Sequence, residues 1–119
     1  QSDGASSSTR GLFMGGYNSS TSSSTSSRLN TIDYITIAST GNASDFGDLS
    51  SQGTGGGTSN GTKAVFAFGV EHGFSGDSAD TNTIDKVTIA STGNASDFGD
   101  TVNADGTIVR GTSDSHGGL

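Results

Sequence analysis

The sequence predicts an all-β repeat protein made of two units of about 52 residues, and three observations carry that prediction. The first is an internal repeat: residues 30–48 read NTIDYITIASTGNASDFGD and residues 82–100 read NTIDKVTIASTGNASDFGD, identical at 17 of 19 positions. The second is that apolar residues fall in short runs rich in Val, Ile and Phe, bounded by Gly, Asn and Asp, which is the signature of strands and turns. The third is composition: Gly, Ser and Thr fill 58 of 119 positions, and such residues are poor helix formers.

Taken in order, residues 9–16 (TRGLFMGG) are answered by residues 62–69 (TKAVFAFG) at an offset of 53, so whole units are repeated. The apolar runs 12–14 and 65–68 read as central strands ending on a glycine kink. Residues 31–38 are mostly β-branched, with Ile35 and Ile37 on one face and Ile32 and Tyr34 on the other, so both faces are expected to be partly covered. After the turn signal Thr40-Gly41-Asn42, residues 43–48 return as a short outer strand anchored by Phe46, with Phe98 as its counterpart. Residues 17–27, almost wholly Ser and Thr, and the Gly-rich residues 50–60 read as connections, as does VEHGFSGDSADT at 70–81. Asp105-Gly106 is a hairpin signal. The units are placed at about 9–61 and 62–106, with a tail at 107–119, in one domain. Three or four short strands in this length suit one propeller blade. The expected core is Phe13, Phe66, Ile35, Ile37, Phe46 and Phe98, with Phe46 and Phe98 holding equivalent places.

Charge and composition narrow the function classes. Five Lys and Arg against twelve Asp and Glu give a net charge of −7, opposite to the footprint of a phosphate-backbone binder, so nucleic acid is not an expected partner. No apolar run approaches the roughly 18–20 residues of a membrane-spanning helix, and no membrane insertion is expected. Zero cysteines exclude disulfides and thiolate metal sites. The start at Gln1 reads as a processed end or an engineered boundary within something longer.

Motifs with catalytic echoes fail on context. Asp45-Phe46-Gly47 and Asp97-Phe98-Gly99 spell the kinase magnesium tripeptide without the rest of a kinase, and residues 57–63 miss the glycine spacing of a phosphate loop. His72 and His116 sit in no nucleophile elbow, and nothing fixes the separation of Glu71 and Asp77 as paired carboxylates. Eleven Asp suggest calcium, but Asp77-Ser78-Ala79-Asp80 lacks EF-hand and nonapeptide spacing. The four Asn-x-Ser/Thr sequons are expected by chance in this composition. No enzyme activity, metal or cofactor is therefore expected.

The run Phe13-Met14-Gly15-Gly16, a variable loop, an aromatic-containing strand and an anchored fourth strand together resemble a kelch-type β-propeller blade. More specifically, GLFMGGY followed by NTIDYITIASTGNASDFGDL is similar to repeats of tail-fibre and related virion proteins of marine and cyanobacterial tailed phages. The resemblance spans roughly 9–100; kelch blades usually carry Trp where Phe46 and Phe98 stand, and the second doublet is Phe68-Gly69. It implies a non-enzymatic virion component, located in the virion or outside the cell, displaying loops to a host surface beside other virion proteins. The alternative is a secreted or surface bacterial adhesin that binds glycans. Two blades do not close a ring of about four to eight, so either partner chains or further repeats of a longer fibre complete a propeller, or the strands form a packed-sheet assembly; a homo-oligomer is expected. The binding residues expected are Tyr17, Asn18, His72, Phe74 and Asp77, where aromatic rings stand beside hydrogen-bonding groups that suit a cell-surface glycan.

Overall fold

Backbone pairing organises the chain into two four-stranded antiparallel meanders. The computed structural model describes residues 3–18, 27–52, 55–68, 82–102 and 111. The first sheet contains β1 (Asp3–Ser6), β2 (Arg10–Met14), β5 (Thr31–Thr36) and β6 (Ser44–Asp48) in that spatial order. Between β2 and β5 lies a two-stranded ladder of β3 (Tyr17–Asn18) and β4 (Ser27–Arg28). The second sheet repeats the plan with β7 (Gly55–Ser59), β8 (Lys63–Phe68), β9 (Thr83–Thr88) and β10 (Ser96–Asp100). The fold is all-β, with no helix among the described residues. The Asp105-Gly106 hairpin lies outside the described residues.

The repeat reaches the hydrogen bonds. In the first hairpin Ser7 Oγ accepts from the Thr9 and Arg10 amides; in the second, Asn60 Oδ1 accepts from Thr62 and Lys63. A short polar side chain thus closes each turn onto its own backbone. In the outer strands Phe46 and Phe98 are each skipped in the ladder, a bulge at which Asp45 Oδ1 accepts from the Gly47 amide and Asp97 Oδ1 from the Gly99 amide. Asp-Phe-Gly is therefore a bulge motif here: Asp ties the loop, Phe is re-aimed and Gly takes φ of 147° or 150°.

Two corrections follow. The Gly-rich connection at 50–60 contains β7, paired to β8 along its length. Of the six residues expected in the core only two are buried, Phe46 and Phe66 at 2% and 0% exposure, whereas Phe13 (47%), Ile37 (53%) and Phe98 (60%) are exposed and Ile35 is half-buried.

The reason lies in how the sheets stack. Side chains alternate along a strand, so each strand offers two faces. The first sheet buries Leu12, Met14, Ile32 and Phe46; the second buries Ala64, Phe66, Asp85, Val87 and Ile89. Ile32 corresponds to Ile84, but Asp85, Val87 and Ile89 correspond to Asp33, Ile35 and Ile37, which lie on the other face. Almost identical strands thus bury opposite faces. A face-to-face sandwich would bury the same face twice; stacking one sheet's front on the other's back buries one of each. The pair is stacked front to back, with β1 against β7 and the end of β6 against residues 93–95. Among the described residues, the buried apolar side chains form one shared core.

Candidate functional site

Local sequence fixes the junction between the sheets. Asp85 stands mid-strand between Ile84 and Lys86, and alternation turns it into the core. Its carboxylate accepts from the Ser50 amide at 2.7 Å and the Ser50 hydroxyl at 2.7 Å, so the buried charge is held by donors from the other unit. Arg10 crosses in the opposite direction: its guanidinium lies 4.8 Å from the Tyr34 ring centre and Nη1 donates to Ile89 O at 2.9 Å. Tyr34 meets Phe46 edge-on, with centroids 5.9 Å apart. Main chain completes the contact. The Gly93 and Ala95 amides donate to Phe46 O and Asp48 O, and the Asp48 amide donates to Asn94 Oδ1. The Ser59 hydroxyl donates to Ser6 O at 2.6 Å where β7 crosses β1.

Each unit has a shallow cavity of about 200 Å³ under its outer hairpin, and the second reaches the junction at Gly93 and Asn94. The two cavities are equivalent, one between Tyr34 and Ser44, the other between Lys86 and Ser96. Beside Ile35 in the first and Val87 in the second, their walls carry hydroxyls and one amide: Thr36, Ser39 and Asn42 in the first, Thr88, Ser91 and Asn94 in the second. The second also gains the ammonium groups of Lys63 and Lys86, two of the five cations in an acidic chain, with Lys86 Nζ 5.5 Å from the Phe98 ring centre. Such walls offer hydrogen bonds and positive charge.

Of the residues expected to bind, Tyr17 and Asn18 form β3, opposite Arg28 and Ser27, so the Ser/Thr-rich connection leaves and returns as a short ladder. His72, Phe74 and Asp77 lie outside the described residues. No three His, Cys, Asp or Glu side chains cluster as metal ligands among the described residues, and no described helix is long and apolar enough to cross a bilayer.

The junction residues were missed by sequence reasoning, yet two signals mark them. Asp85 places a carboxyl group among the β-branched residues of its strand, and one of the two substitutions in the long repeat replaces Tyr34, which packs on Phe46, with Lys86. No protein-family model matches the chain, and no curated protein matches its sequence.

Proposed function

We propose that this chain is a non-enzymatic structural component of a phage virion, of the tail-fibre type, which assembles as a homo-oligomer and holds variable loops toward a host cell surface. The observation that carries the reading is topological. The connections 15–30 and 69–82 are both inserted between the second and third strands of their sheets, and the sheets are stacked in one orientation. Equivalent insertions on a stacked scaffold leave from the same side, which suits display of differing loops by a constant frame. The virion assignment is supported by the likeness of the repeat strings to those of tailed-phage fibre proteins.

Two measurements test the reading. Gold-labelled antibody against the chain is expected on phage fibres in electron micrographs; label on the bacterial envelope instead would favour the adhesin. The triple variant Tyr17→Ala, His72→Ala, Phe74→Ala is expected to lose binding to host cells and envelope glycans. A folded, assembled triple variant that binds like the parent would remove these loops from recognition.

A further inference from the structure

Each outer face of the stacked pair is a repeat of a face buried inside it. The outward face of the first sheet carries Gly11, Phe13, Asp33, Ile35 and Ile37, the equivalents of Ala64, Phe66, Asp85, Val87 and Ile89 at the junction. The outward face of the second sheet carries Val65, Ile84, Lys86 and Phe98, the equivalents of Leu12, Ile32, Tyr34 and Phe46. Phe13 and Ile37 remain apolar although exposed, and Ile35 has not become polar.

We infer that a second copy of this chain docks head to tail, laying the outward face of its first sheet on the outward face of the second sheet in the register of the internal junction. The inference rests on repeat geometry alone and holds whether or not the chain belongs to a virion.

The groups that make the internal junction recur on the open faces. Gly93, Asn94 and Ala95, which bond Phe46 and Asp48, have the equivalents Gly41, Asn42 and Ala43 facing Phe98 and Asp100 in the docked pair. A Cβ on Gly47 would collide with Gly93 O, whereas one on its equivalent Gly99 meets nothing among the described residues, the room that the same contact between copies would fill. Lys63 replaces Arg10 as the donor toward Ile37 O, the counterpart of Ile89 O. Asp33 is exposed where Asp85 is buried, and the Val102 amide stands where the Ser50 amide donates to Asp85.

Backbone already approaches the second sheet's outer side at the junction spacing. A Cβ on Gly57 would meet Gly4 O at 3.0 Å, and one on Gly111 would meet Gly57 O at 2.7 Å. The place over β7 is thus held by the chain itself, and docking falls on β8, β9 and β10.

The contact between copies is weaker than the internal one, because Thr101 replaces the buried Leu49 and Val102 lacks the Ser50 hydroxyl. It is also heterologous, joining unlike faces, so association continues past a pair unless the stack closes into a ring.

The chain has no cysteine, which makes single-cysteine pairing clean. Asp33→Cys and Val102→Cys chains, mixed and oxidised, are expected to give a disulfide-linked dimer of unlike chains, while neither gives one alone. Light scattering is expected to show mass rising with concentration for the parent and a folded monomer for Ile37→Asp. Restoring the internal pair with Thr101→Leu and Val102→Ser is expected to tighten association about tenfold or more, since a hydrogen bond to a carboxylate is regained. Self-pairing of Asp33→Cys as ready as mixed pairing would overturn the proposal in favour of a symmetric dimer. A folded parent that stays monomeric at high micromolar concentration would overturn it in favour of faces covered by a different protein.

Discussion

Phe46 and Phe98 sit in the same five-residue string, SDFGD, in equivalent bulges, yet one is core and the other surface. Identical local chemistry therefore carries different energetic weight, set by what lies over the bulge. Phe46 is packed edge-on by Tyr34 and closed off by the second sheet, so Phe46→Ala opens a cavity and is expected to cost about 3–5 kcal/mol. Phe98 is mostly exposed, with the Lys86 ammonium over its ring, and Phe98→Ala is expected to stay within about 0.5 kcal/mol of the parent at fixed chain concentration. Urea unfolding of the two variants checks the difference; equal losses would mean the second sheet's outer face is already covered. Lys86 belongs to the same contrast. A long side chain with a charged tip covers Phe98 while keeping its ammonium in water, whereas Tyr34 suits the closed junction.

At the scale of the element, strands were legible where side chains announce them and illegible where the backbone alone is the message. β2, β5, β8 and β9 are rich in branched and aromatic residues, and each lies in the inner part of its sheet. β7, Gly-Gly-Gly-Thr-Ser, has almost no strand propensity; its ladder with β8 makes it a strand, and close neighbours leave room there for glycine alone. A Cβ on Gly57 would stand 2.9 Å from the Phe66 ring, and one on Gly55 would collide with Ala67 O. Which face of β5 or β9 turns inward was not legible either, since both carry apolar residues and alternation alone cannot choose. The bulge glycines give a direct test of what stacking adds. Gly47 and Gly99 share the same strained φ, so alanine at either position costs about 1–3 kcal/mol of backbone strain. Only at Gly47 does the new methyl also strike Gly93. Gly47→Ala is expected to destabilise by about 1–3 kcal/mol more than Gly99→Ala. Thermal melts of the pair read the difference, and equal midpoints would mean that the sheets separate at β6 without cost.

For the whole molecule, the repeat revealed two units but left open whether each stands alone. Neither sheet has a core of its own: Leu12, Met14, Ile32 and Phe46 from the first and Phe66, Phe68, Val87 and Ile89 from the second are one cluster, with each unit supplying half the cover for the other. The polar contacts follow the same logic, because the buried Asp85 of one unit depends on Ser50 of the other, and Arg10 reaches back to Ile89. A layer in a stacked repeat draws its stability from its neighbours, and two layers that share one core are expected to unfold together. The chain provides natural probes. There is no Trp, and the only two tyrosines, Tyr17 and Tyr34, belong to the first unit, while far-ultraviolet circular dichroism reports the strands of both. At one chain concentration, tyrosine fluorescence and circular dichroism are expected to trace a single coincident urea transition, and Phe66→Ala in the second unit is expected to move the tyrosine signal with it. A tyrosine transition that stays put when Phe66 is truncated would mean that the first sheet folds on its own, and the shared core would then be contact without cooperativity.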